Sequence, residues 1–332
     1  MDSRLRGNDG NGKGQYLVMS VTHSIGSLVA TPIQPNIGAE ISGIDLTLPI
    51  SPAQADDLRA ALLRYQVVIL RDQRIDRAQH TALARIFARN PEDPFFYSDT
   101  QARPIKGHRE ILNVYADGVT RTAADIWHTD GSWAECPPEI SVLRSTEIMP
   151  SLGGDTCFAS AGDAYDGLPD AMKTRIDGLR ALHWKGFAQK AGGYGGLADS
   201  KRMEEAKRAY PPVAHPMVRV HPETGRRTLF VNAVYTGEVV GMDQAESDAL
   251  LALLFNEVQK PDYQMRLRWT TNAIAVWDNR AVQHAATGNY TEPRMLERIT
   301  TAGYGSVLGP GDVDVTANSH LVIPAKAGTH LP

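Results

Sequence analysis

The chain carries only two cysteines in 332 residues, Cys136 and Cys157, and neither belongs to a C-x-x-C pair or a cysteine/histidine cluster. That excludes a disulfide framework and a structural zinc knot, and it suits a reduced, cytoplasmic setting. Long apolar runs are also missing: nothing approaches the roughly 18 residues of a membrane span, and the N-terminus has no apolar signal core. Charge of one sign is scarce. With 34 basic against 38 acidic residues the formal net charge is −4, which leaves no basic field for nucleic acid and no cationic helix for a membrane surface. What is present is a 42% hydrophobic composition, enough for a sizeable core, and the expectation is small-molecule chemistry.

The ends differ from the middle. Residues 1–18, rich in Gly, Asn and charge, and residues 309–332, which open on Gly309 and Pro310, show no periodic apolar pattern and are expected to be disordered tails around a single domain at 19–308. The segment from about 159 to 210 is polar and partly helical in pattern, and its "AGGYGGL" has neither the preceding strand nor the following Lys-Ser/Thr of a phosphate cradle. It is expected to be a helical insert with a mobile loop.

Between these, Ser51-Pro52 opens a helix to about Arg64, and the β-branched "QVVILRD" follows as a buried strand. Asp76 with Gln79, and Asp243 with Glu246, have capping-box spacing at the heads of two more helices. "ISVLRSTEI", "MVRVHPETGRRTLFVN" with its Pro-Glu-Thr-Gly turn, "NAIAVWDN" and "RITTAGYG" read as strands. Strands joined by turns, with helices toward the ends, favour a mostly β antiparallel sandwich or barrel with flanking helices over a doubly wound parallel sheet.

The stretch "IWHTDGSW" sets His128 and Asp130 one residue apart. In an extended strand both side chains point to the same face. One imidazole and one carboxylate are two thirds of a 2-His-1-carboxylate site, which suits non-haem Fe(II) and leaves coordination positions open. A third ligand must come from another strand, and "AVWDNRAVQHAA" offers His284. Arg294 and Arg298 follow in "EPRMLERIT", and arginine's planar fork is suited to grip a carboxylate in two places. Spacing alone leaves the bland alternatives open: a surface His-x-Asp pair, a core histidine, two solvated arginines. Trp127, Trp133 and Trp277 read as packing, with Trp133 a candidate pocket wall; Asp278 and Asn279 read as turn or supporting residues. His80, His108, His183, His215 and His221 lack a ligand-like pattern and read as structural.

Taken together, "WHTD", "PP", "GGDT", "HPMVRVHPETGRRTLFVN", "WDNRAVQHAA" and "RMLER" occur in the order and approximate spacing of the taurine dioxygenase and 2,4-dichlorophenoxyacetate dioxygenase family of Fe(II)/2-oxoglutarate-dependent enzymes, which the chain resembles from about Ile33 to Gly305. The resemblance implies a double-stranded β-helix (jelly roll), iron bound by His128, Asp130 and His284, and 2-oxoglutarate held through its distal carboxylate by Arg294 and Thr156. It implies O2-dependent hydroxylation of a C–H bond as 2-oxoglutarate is decarboxylated to succinate and CO2. Asp130 speaks against halogenation, since related halogenases lack that carboxylate. Family members also suggest a homo-oligomer, a dimer or a tetramer.

Arg298 matches an arginine that in the taurine enzyme helps hold the substrate anion. The positions that contact taurine there through a histidine, a tyrosine and an asparagine fall here on Asp93, Phe96 and Ala124. The expected substrate therefore has one anionic head and a more apolar body: an alkyl sulfate, alkylsulfonate or aryloxyalkanoate. The alternatives are taurine itself, a non-catalytic metal-binding sensor on the same barrel, or a zinc hydrolase. Because the tails offer little apolar surface, deleting residues 1–18 and 315–332 should leave the melting temperature unchanged; a drop of more than about 5 °C by calorimetry would show that they pack on the domain.

Overall fold

The computed structural model describes residues 21–97, 104–120, 123–187, 205, 207, 208 and 210–312. The expected tail at 1–18, residues 313–332 of the one expected at 309–332, and the "AGGYGGL" stretch lie outside the described residues; residues 309–312 are described, with the Gly309 amide donating to Asp312 Oδ2 at 2.7 Å. The chain opens with β1 (His23–Ile25), β2 (Leu28–Pro32) and β3 (Ala39–Ser42), then helix α1 (Pro52–Tyr65), β4 (Val67–Leu70) and helix α2 (Arg77–Arg85). Next come β5 (Pro104–Ile105), β6 (His108–Ala116), β7 (Ile140–Ser145), β8 (Thr156–Ser160), helices α3 (Ala161–Asp166) and α4 (Asp170–Ile176), and β9 (Arg180–His183). The remainder is β10 (Val213–Pro216), β11 (Val218–Val220), β12 (Arg227–Leu229), β13 (Thr236–Val239), helix α5 (Gln244–Val258), β14 (Gln264–Leu267), β15 (Ile274–Asp278), β16 (Val282–Ala286) and β17 (Arg294–Thr300). The protein is mostly β, as expected.

Local chemistry explains the helix starts. Ser51 with Gln54, and Asp76 with Gln79, form reciprocal capping boxes that satisfy otherwise orphaned first-turn amides. At α5 the expected box is only half made: Asp243 accepts from the Ala245 amide at 2.9 Å. Glu246 is drawn away by Arg175, 2.6 Å distant. The strand read at "RITTAGYG" begins earlier, at Arg294, so both arginines lie within β17. The insert region also contains a strand, β9, which pairs with β10 and β13.

Two sheets frame the interior. The larger has nine strands in the order β1-β2-β3-β4-β15-β7-β17-β6-β5, antiparallel except for β3 beside β4; the smaller is β14-β8-β16. The strands at the centre of the larger sheet are buried on both faces, which is why their sequences run apolar without alternation. Successive residues nonetheless part company. Val68, Leu70, Val142, Ile274, Val276 and Ile299 pack with α1 and α2, whereas Val67, Ile69, Leu143, Ala275, Trp277 and Leu296 pack with Phe158, Met265, Leu267 and Val282 of the smaller sheet. A third cluster joins α5 to Val218, Leu229 and Val231. β15 on the larger sheet and β16 on the smaller are linked by one tight turn, closed by the Ala281 amide donating to the Asp278 carbonyl at 3.0 Å. The interior therefore narrows where the two sheets meet.

His80, on α2, is fully buried and faces the Val142 carbonyl at 3.2 Å. Burial, aided by the Arg144 charge, pushes its pKa from 6.5 down to about 4, and burial does the same to His215. Between those values the unfolded chain takes up protons that the folded chain refuses, so stability should fall as pH drops from about 6.5 toward about 4, by up to about 3 kcal/mol for His80. Urea midpoints of the metal-free protein at pH 7 and pH 5 test this, and His80→Gln, which keeps a donor but does not titrate, should flatten the dependence. An equal pH slope in the variant would contradict the assignment.

Candidate active site

His128 does not sit in a regular strand. It forms an isolated antiparallel bridge with His284 of β16, its amide donating to the His284 carbonyl at 3.0 Å and the His284 amide returning the bond at 2.9 Å. From Asp130 the chain turns instead of extending. Gly131 takes φ +61°, and a Cβ there would lie 2.6 Å from Pro138 Cδ, so a glycine is required. The expectation of an extended His-x-Asp strand is thus met for one residue and then replaced by a turn; the shared face survives.

The side chains of His128, Asp130 and His284 converge, all buried, with one potential ligand atom from each within 4.8 Å of the others. Each histidine Nε2 is 3.7 Å from an Asp130 oxygen, too far for a hydrogen bond and spaced as donors around a common ion. His128 Nδ1 lies 2.7 Å from the Ile126 carbonyl. Nδ1 must therefore carry the proton, which leaves the Nε2 lone pair facing the cluster. His284 is oriented by packing against Trp277 and Phe158, at ring-centroid distances of 4.9 and 6.0 Å. Burial and the neighbouring His128 push its pKa down to about 3, so it is neutral and able to ligate across the physiological range. Burial opposes ionisation of Asp130, but the Arg298 guanidinium beside it outweighs that and holds the carboxyl well below its usual range. A donor set of two imidazoles and one carboxylate fits a divalent transition metal.

Arg298 Nη1 donates to Asp130 Oδ2 at 2.7 Å. The arginine matched to substrate binding is thus turned onto the carboxylate of the cluster. Four residues earlier on the same strand and on the same face, Arg294 is buried, its Nη1 donating to the Gly154 carbonyl at 2.5 Å and its Nε having no partner among the described residues. The nearby Asp155 carboxylate is occupied by Arg266, 2.6 Å away. Thr156, on β8 opposite Ala286, accepts from Trp269 Nε1 at 3.0 Å, which leaves its hydroxyl proton to donate elsewhere.

Phe96 and Trp133 meet edge to face at 6.1 Å, and the Phe96 amide donates to the Thr300 carbonyl, which sets the ring beside β17. Ala124 lies in a short 3-10 turn against β16. Asp93 is exposed. Sequence reasoning missed Lys185, whose Nζ stands 4.6 Å from the Trp133 ring centroid and 5.1 Å from that of Tyr210, because a lone lysine in a polar segment carries no local signal. It also passed over Arg280, which pairs with Asp278 through two nitrogens and with Glu223 at 2.5 Å. His80, His183, His215 and His221 are all buried on other partners; His221 bonds Asp278 at 2.9 Å. A cleft of about 770 Å³ beside the end of α1, lined by Tyr65, Asp163, His221 and Arg226, is bordered by none of the converging residues.

Residues 30–300 match the family described as taurine catabolism dioxygenase TauD, TfdA family. An alpha-ketoglutarate-dependent sulfate ester dioxygenase of Pseudomonas putida is 32% identical, over 82% of this chain and 88% of that protein. An alpha-ketoglutarate-dependent 2,4-dichlorophenoxyacetate dioxygenase of Burkholderia sp. (strain RASC) is 31% identical, over 84% and 95%. Among solved structures, a taurine dioxygenase from Burkholderia xenovorans superposes with a TM-score of 0.70 at 32% identity, covering 86% of this chain and 93% of that one. AAD-2, solved with Mn(II) and N-oxalylglycine, gives 0.71 at 26% identity, covering 85% and 99%. The converging donor set, the buried arginine beside it and these likenesses agree: the chain belongs to the TauD, TfdA family and is a 2-oxoglutarate-dependent dioxygenase.

Proposed function

We propose that this enzyme hydroxylates a small organic substrate with one anionic head and a more apolar body, an alkyl sulfate, alkylsulfonate or aryloxyalkanoate, releasing succinate and CO2. The observation that carries the cosubstrate half of this reading is Arg294: it is 4% exposed, and among the described residues no carboxylate lies within ion-pair distance of it. A buried guanidinium without a counter-ion costs several kcal/mol, and the distal carboxylate of 2-oxoglutarate would relieve that cost while Thr156 donates its free proton to the same group. The relatives named for sulfate esters and aryloxyacetates support the substrate half.

His128, Asp130 and His284 would hold Fe(II), which supplies oxygen activation and C–H oxidation once bound. The chain's own residues do the rest. Arg294 and Thr156 fix the cosubstrate at one end. Arg298 keeps Asp130 ionised and aligned, and its buried, unpartnered Nε leaves a donor for a substrate anion. Lys185 adds a second cation behind Trp133. Phe96 and Trp133 form the apolar wall that excludes water and would pack on the substrate body. Asp93, which is exposed, would repel a second anionic group on a substrate that reaches it. The two facing sheets favour a double-stranded β-helix core in a single domain, and the family likeness favours a cytoplasmic homo-oligomer.

Arg294→Ala should raise the apparent KM for 2-oxoglutarate by at least about tenfold, since a buried carboxylate would lose its charged partner. An unchanged KM would give the role to another residue. In a panel of alkyl sulfates, alkylsulfonates, aryloxyalkanoates and taurine with Fe(II), ascorbate and 2-oxoglutarate, substrate-dependent succinate release should be greatest for one of the first three classes. Taurine as the best substrate would overturn the pocket assignment and leave the cosubstrate site intact.

A further inference from the structure

Asp130 is the ligand that the backbone alone does not secure. An antiparallel ladder that pairs His128 with His284 would next set residue 130 opposite residue 282, but the turn at Gly131 carries the chain away. A side chain takes over. Asn279 Oδ1 accepts from the Asp130 amide at 3.0 Å, and Asn279 Nδ2 donates to the Asp130 carbonyl at 2.9 Å. A carboxamide offers the same donor and acceptor as a peptide unit, so Asn279 stands in for the missing strand partner. Its Nδ2 also donates to the Pro138 carbonyl at 2.9 Å, and its amide donates to the Glu139 carbonyl at 2.8 Å. Asn279 thereby closes both ends of the 131–138 loop.

The anchor itself is rigid. Asn279 is 1% exposed and lies in the turn between β15 and β16, five residues before His284. Its neighbours Asp278 and Arg280 are locked by a two-point ion pair, with Arg280 Nε and Nη2 donating to the carboxylate at 2.8 and 2.7 Å. One short connection therefore positions the second histidine directly and the carboxylate ligand through a side chain.

We propose that Asn279 is a positioning residue for metal binding: it locks Asp130 in register with His128 and His284, so that the three donors are preassembled before any ion arrives. The proposal rests on the reading of those three residues as the metal ligands. Without Asn279 the Asp130 backbone would lose both of these bonds, while its carboxylate, among the described residues, would keep its contact with Arg298. Partners that orient ligands from behind typically contribute 10- to 100-fold, on the order of one to two decades, in metal affinity.

The test is anaerobic titration of the metal-free full-length protein with Co(II), followed by its visible absorption, alongside the melting temperature before metal is added. Asn279→Ala should bind Co(II) about 10- to 100-fold more weakly, with an altered spectrum. Ser145→Ala controls for lost stability: Ser145 is a buried residue that bonds Thr270 and Ala273 far along the sheet, and this variant should bind within twofold of wild type. If Asn279→Ala does not fold, Asn279→Ser serves in its place with the same expectation. Wild-type affinity and spectrum in the Asn279 variant, with binding lost in His128→Ala, would overturn the proposal alone. Failure of wild type to bind Co(II), or full binding by His128→Ala, would overturn the ligand assignment and the proposal with it.

Discussion

The reciprocal pair of backbone hydrogen bonds between His128 and His284 is the contact on which the site depends. It joins two segments more than 150 residues apart, at 3.0 and 2.9 Å, on the edge of β16 opposite its regular partner β8. Because side chains on directly opposed residues lie close together, this one bridge brings two imidazoles to a ring separation of 4.2 Å. The rest of the fold keeps the bridge in register. β8 pairs with β16 along its length, β15 enters the preceding turn from the larger sheet, and Trp277 and Phe158 fill the space behind His284. A loosened core at Trp277 would therefore be felt first as a misplaced ligand.

Electrostatics follow from that placement. Burying one carboxylate among side chains would be costly without a counter-charge, and Arg298 provides it at 2.7 Å. Arg294, four residues along the same strand, is buried with no carboxylate in ion-pair contact among the described residues, and Asp125 and Asp155 act on its charge only from farther off. Among the described residues, the two arginines of this strand thus have one ion-paired carboxylate between them, Asp130. That imbalance suits a dianionic cosubstrate together with an anionic substrate, and it disfavours cationic ones.

Much of this was legible in the sequence, for identifiable reasons. His128, Asp130, His284 and the two arginines could be singled out from their residue types and order, Thr156 only from the family resemblance, and the helix starts at Ser51 and Asp76 carry local capping signals. Other features depend on contacts between distant segments. The turn at Gly131 answers to Pro138. The failed capping arm at Glu246 answers to Arg175. Trp269 reaches Thr156 across 113 residues, and the carboxamide of Asn279 acts as a strand partner only because Asp130 happens to lie opposite it. Arg298 shows the same limit differently, since its sequence position is informative but its choice of Asp130 as partner is visible only in three dimensions.

If His128, Asp130 and His284 make one metal site coupled to 2-oxoglutarate turnover, metal content and turnover must be lost together. Iron stoichiometry and substrate-dependent succinate release can be measured on the same preparations of wild type and His128→Ala. About one Fe(II) per wild-type chain, succinate released in step with substrate, and loss of both in the variant are expected. Full iron-dependent turnover by His128→Ala would contradict that site assignment.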